Sequence, residues 1–200
     1  MKPNRLSRSL RKERGRVASP SAANLVMARE WYSTFQHDTT LPASSRPVGA
    51  EEPSAQNATS RCILIADDDA VVRGSLAAVL EAEGYAVDEA RNGIEAVTRS
   101  INHAPDLILL DLNMPHWDGW TAFSQLDRVT PLLPVIVITA RPHQYEKAVE
   151  LGVDAFMEKP LNIPLLVSTI RRLTREDKRR RVRRITNPAF VTELLSSADS

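Results

Sequence analysis

The stretch "ILIADDDAVV", residues 63–72, decides the fold. An apolar run of strand length breaks directly into Asp67, Asp68 and Asp69, and a helix-length segment follows at once. The same pattern recurs downstream, with strands expected at "CILIA" (62–66), "AVDEA" (86–90), "LILLD" (107–111), "VIVIT" (135–139) and "AFMEK" (155–159). Helices are expected between and after them, over about 71–83, 93–102, 118–128, 142–151 and 163–175 or beyond. Strands alternating with helices are the signature of successive βαβ units and a parallel sheet. The first, third and fourth runs are apolar at consecutive positions, which implies helices on both faces of the sheet. The second carries Asp88 and Glu89 and reads as an edge.

Outward from this body the composition changes. The formal net charge of +1 conceals an acidic centre between basic ends. Residues 1–59 hold nine Lys or Arg against five acids, 60–170 hold eight against sixteen, and 171–200 hold nine against four. Segment 1–60 is Arg/Lys/Ser-rich and then Pro/Ser/Ala/Thr-rich, and reads as a disordered extension, with a short amphipathic segment at 23–35. The organisation expected is therefore an extension over 1–60, a folded domain over 61–175 and a basic tail over 176–200 that extends the last helix. No apolar run approaches the roughly 18 residues of a membrane span. Cys62, the only cysteine, reads as a buried, inert thiol at the start of an apolar run. A cytoplasmic location follows as the expectation.

In an open parallel sheet, chemistry belongs at the C-terminal ends of the strands. Asp67 and Asp68 follow the first strand, Asp111 ends the third, Thr139 the fourth and Lys159 the fifth. Carboxylates gathered there repel unless a cation compensates them, and oxygen ligands with waters suit Mg²⁺. Phosphoryl transfer to a carboxylate uses this set economically. Metal and Lys159 neutralise phosphoryl charge, Thr139 donates a hydrogen bond, and an aspartate attacks. Asp69 reads as the N-cap of the first helix.

These motifs carry a resemblance. The acidic pair, "LILLDLNMPHWDGW" (107–120), "VIVITA" (135–140) and "GVDAFMEKPL" (152–161) resemble the receiver domain of two-component response regulators over about 61–175. The resemblance implies a doubly wound five-stranded parallel sheet of order 2-1-3-4-5, and a chemotaxis-type single receiver rather than an enzyme. It implies that Asp111 accepts a phosphoryl group from a sensor histidine kinase or histidine phosphotransfer protein. Asp68 is then a direct Mg²⁺ ligand, Asp67 acts largely through water, and Asp111 and the Asn113 backbone carbonyl complete the protein ligands. Thr139 and Phe156 are the switch pair, Lys159 binds phosphate, and Pro160 is cis. Their movement remodels the face made by the fourth helix, fifth strand and fifth helix, where a downstream protein target is expected.

A second reading remains open at this point. "LIADDDAV" also fits haloacid-dehalogenase-type phosphatases, with Asp67 as nucleophile and Asp69 as acid/base, although "LDLNMPHWDG" then has no role. The basic run 171–184 has three readings: a solvated helix end, an intramolecular contact with the acidic body, or a salt-dependent nucleic-acid contact.

Overall fold

A computed structural model describes residues 60–196; the extension expected over 1–60, including its amphipathic segment, lies outside them but for Ser60. Strand β1 (Cys62–Ala66) leads through helix α1 (Ala70–Ala82) to β2 (Ala86–Ala90), and α2 (Gly93–His103) leads to β3 (Leu107–Asp111). Helix α3 (Gly119–Val129) precedes β4 (Val135–Thr139), and α4 (Tyr145–Leu151) precedes β5 (Ala155–Glu158). Then come α5 (Ile163–Arg175), α6 (Lys178–Ile185) and a two-residue β6 (Glu193–Leu194). The strands are ordered β2-β1-β3-β4-β5-β6, every pairing parallel. The five expected strands stand in the expected order, and β6 is an addition outside β5.

Side chains alternate across a strand, so each strand feeds two layers. Leu64, Ile108, Leu110, Val137 and Phe156 pack with residues of α2, α3 and α4. Ile63, Ile65, Leu109, Ile136, Ile138 and Met157 pack with α1 and α5 on the opposite face. This double cover is why β1, β3 and β4 read as unbroken apolar runs. Strand β2 is the other edge, and its Asp88 is paired with Arg99 and His103 of α2.

Local chemistry sets the helix boundaries. Asp69 caps α1, its Oδ1 accepting from Val71 N at 2.8 Å and Val72 N at 3.4 Å. Gly84 ends that helix with φ 85°, a left-handed conformation that costs glycine little. Asn92 caps α2, while Glu95 reaches back to the Arg91 amide. Asp118 and Asn162 cap α3 and α5 through the Thr121 and Leu165 amides.

Two helices depart from expectation. Helix α4 starts at Tyr145 rather than 142, because His143 is left-handed (φ 59°) and cannot lie within a right-handed helix. The basic run does not prolong α5. Glu176 is extended, Asp177 caps a new helix through the Arg180 amide, and α6 turns back against the body. The cause is a buried carboxylate at the start of β5. Asp154 receives Arg181 through two bonds of 2.7 and 2.9 Å, Arg184 at 2.7 Å and the Val135 amide at 2.9 Å. Burial alone would push its carboxyl up, but the guanidiniums and the Val135 amide outweigh that and hold it below the ordinary range. No helix among the described residues is long and apolar enough to cross a membrane.

Candidate functional site

The strand ends converge as the parallel topology requires. Asp67, Asp68 and Asp111 each offer a carboxylate oxygen, and these three oxygens lie within 4.8 Å of one another. Lys159, one residue beyond β5, sends Nζ to Asp67 Oδ2 and Asp111 Oδ2, both at 2.9 Å. Asp67 is fully buried and Asp111 almost so, whereas Asp68 is exposed. Burial pushes the Asp67 carboxyl above its ordinary value despite bonds from Lys159 and the Asp69 amide. Burial also acts to lower the Lys159 ammonium, but its bonds to Asp67 and Asp111 outweigh this and raise it.

Several contacts hold this geometry. The Asn113 amide donates to Asp111 Oδ1 at 3.1 Å, closing the turn after β3. The Lys159–Pro160 peptide is cis, and the Lys159 amide bonds the Thr139 carbonyl at 2.8 Å. Gly119 lets the start of α3 press on the β3 end: a Cβ there would lie 2.3 Å from the Asp111 carbonyl oxygen and 2.6 Å from Leu112 Cα. Arg73 has no place in the sequence reading, yet it is buried with a guanidinium nitrogen 2.8 Å from the Asp67 carbonyl and Nε 3.0 Å from Glu89. Its position one helical turn after an N-cap that follows a strand end is the signal that could have found it.

The remaining expected residues stand around this group. Thr139 ends the strand beside β3, and its Oγ1 accepts from the Arg141 amide at 3.0 Å, which leaves its proton free to donate elsewhere. Arg141 also bonds the Asn113 side chain at 3.2 Å, spanning the approach to Asp111. Phe156 is fully buried beside Val137, two residues before Thr139 on the same face, with its ring centroid 5.9 Å from that of Tyr145.

Two of the three carboxylates bond the one ammonium, so the donor set retains an excess of negative charge made wholly of oxygens. That is the chemistry of a hard divalent cation site, and the residues present fit Mg²⁺.

The sequence model of the response regulator receiver domain matches residues 63–171, more than half of the chain. The chain belongs to this family. Response regulator MprA of Mycobacterium sp. (strain KMS) is 38% identical over 115 residues, covering 56% of this chain and 50% of that protein. MprA of Mycobacterium tuberculosis (strain ATCC 25177 / H37Ra) is 37% identical over 118 residues, covering 58% and 51%. The chain thus spans about half the length of the curated relatives it matches. Among solved structures, response regulator TrrA of Thermotoga maritima, in complex with Mg²⁺-BeF, aligns with a TM-score of 0.54 and 28% identity over 56% of this chain and 98% of that one. The receiver domain of a Syntrophus aciditrophicus signal transduction histidine kinase aligns with a TM-score of 0.54 and 32% identity over 59% and 96%.

The fold and the family therefore make this a receiver of two-component signalling. Family membership sets aside the phosphatase reading, and the site explains why. The acid/base that reading needs, Asp69, is occupied as a helix cap.

Proposed function

We propose that Asp111 is the phosphoacceptor of this chain, charged by a sensor histidine kinase or histidine phosphotransfer protein in an Mg²⁺-dependent step. The carrying observation is one carboxylate at the end of β3 with an oxygen on Lys159 and the oxygens of Asp67 and Asp68 within 4.8 Å. Asp67, Asp68, Asp111 and the Asn113 carbonyl are the protein ligands in this reading. When bound, Mg²⁺ supplies positive charge against the phosphoryl oxygens.

An Asp111 oxygen attacks phosphorus, an O–P bond forms as the N–P bond of the donor imidazole breaks, and the departing imidazole takes a proton from solvent. Lys159 exchanges its bond to Asp111 for one to a phosphoryl oxygen, and the Thr139 hydroxyl donates to another. This is positioning and electrostatic work on a group transferred whole, so the chain is a signalling phosphoprotein rather than an enzyme with a turned-over substrate. The donor set, oxygen throughout, and the Mg²⁺-BeF complex of the T. maritima relative both support the metal.

Acetyl phosphate with Mg²⁺ tests the reading. The adduct, detected by intact mass and cleaved by hydroxylamine, is expected on Asp111 and lost on chelation or in Asp111→Asn. An undiminished adduct in Asp111→Asn refutes it.

A further inference from the structure

Residues beyond α6 are bound to α4 and to the β5 edge at once, with an exposed ion pair from Glu193 to Arg172 of α5 beside them. Thr192 takes the Tyr145 hydroxyl on its carbonyl at 2.9 Å and donates its own hydroxyl to the Ala148 carbonyl at 3.1 Å, both on α4. One and three residues later, the Glu193 amide bonds the Asp154 carbonyl at 3.2 Å and the Leu195 amide bonds the Phe156 carbonyl at 2.8 Å, along β5. A four-residue segment thus staples α4 to β5. Hydrogen bonds tolerate only a few tenths of an ångström beyond such lengths, so a sliding of α4 against β5 breaks one set or the other.

The staple is also shallow. Leu195 is buried, but Val191 and Leu194 are 61% and 47% exposed. A cavity of about 60 Å³ lies beside the start of the segment, where Phe190 lines it with Phe123, Leu151 and Ile185 among others. With only Thr192 and Leu195 buried among residues 190–195, the segment has few apolar contacts to lose and opens at modest cost.

Its position gives the reason. Tyr145 packs on Phe156, and Phe156 lies beside Val137 on the Thr139 face of β4. We propose that residues 190–195 form a self-docked strap, held by α4 and β5 only while Asp111 is unphosphorylated, whose release is the response of this chain. The proposal rests on Asp111 being the phosphoacceptor. When a phosphoryl group draws Thr139 away from the Arg141 amide, Phe156 and Tyr145 readjust, the Tyr145 hydroxyl leaves Thr192, and the strap loses its α4 anchors. By reciprocity, a docked strap opposes phosphorylation to the same extent.

Amide hydrogen exchange of the full chain, followed by NMR at Glu193 and Leu195, tests this. Exchange is expected to accelerate about tenfold or more with Mg²⁺ and beryllofluoride, and to stay unchanged in Asp111→Asn. Tyr145→Phe, which keeps the ring and loses one hydrogen bond, is expected to accelerate it about fivefold without either reagent. Leu195→Asp is expected to bind beryllofluoride tighter by the factor seen in exchange. Unmoved amides in a chain shown by mass to carry a phosphoryl group on Asp111 overturn the strap and leave the phosphoacceptor reading intact. Failure of Asp111 to take the adduct overturns that reading, and the coupling with it.

Discussion

Replacing Arg181 with methionine is expected to detach the C-terminal segment and leave the sheet folded. The guanidinium and the Asp154 carboxylate are 6% and 5% exposed, and they share two bonds of 2.7 and 2.9 Å. A third bond, of 3.1 Å, joins Arg181 to the Leu133 carbonyl. Removing one member of a buried ion pair typically costs about 3–5 kcal/mol, because the other charge stays out of water. Here the cost has a ceiling. Undocking α6 lets water reach Asp154, so the loss cannot exceed the docking free energy of the segment. The undocked population should rise by about a hundredfold to several thousandfold, depending on where that ceiling lies. Thermolysin reads this directly, since its sites at Val182, Ile185, Phe190 and Leu194 survive the substitution, and cleavage tracks the open population when reclosing is fast. The core's thermal midpoint should move little. Arg181→Met with Asp154→Leu should recover only part of the loss, because the Val135 amide and Arg184 also lose their acceptor. Cleavage within threefold of the parent in Arg181→Met, with the segment still docked, would refute the reasoning.

Acid should loosen the same contact. The Asp154 carboxyl is held below its ordinary 3.8, so its contribution is complete above that value and lost as pH falls through the lower folded value. The Leu195 amide resonance should hold its position from pH 7 to about 5 and shift toward the undocked position only below about 4; movement between 7 and 5 would contradict this. Gly119→Ala should destabilise the domain at the upper end of the about 1–3 kcal/mol typical of overpacking, since backbone stands where Cβ must go, and denaturant melts measure it. Lys159→Met should slow acetyl phosphate labelling of Asp111 by about a hundredfold or more, timed by intact mass, as expected when a preorganised cation is removed from the reacting group.

Most of the fold was legible because a doubly covered parallel sheet writes itself as apolar runs. Ile108 to Leu110 and Ile136 to Ile138 need no tertiary information to be read as buried strands. The site was legible because its aspartates and lysine each follow such a run. What stayed hidden depended on distance. Asp154 looks like any carboxylate before a strand, and only folding shows it buried beneath two arginines 27 and 30 residues on. "KRRRVRRI" reads as a solvated charge run because nothing local separates Arg181 and Arg184, which are consumed by contacts, from the exposed Arg179 and Arg180. Strand β6 is two residues long, below any periodicity, and exists only because β5 offers it an edge.

That edge has a counterpart across the sheet. Strand β2 presents Asp88 and Glu89 along the opposite margin, where charge discourages another chain from adding on. Strand β5 carries Ala155, Phe156 and Met157 in the same kind of position, with no such charge until Glu158, and the chain lays its own residues over it. One margin is guarded permanently by composition and the other conditionally by a flap of backbone. Any state that lifts the flap therefore uncovers an adhesive seam, and the time spent in that state sets how far the protein associates with itself in a crowded solution.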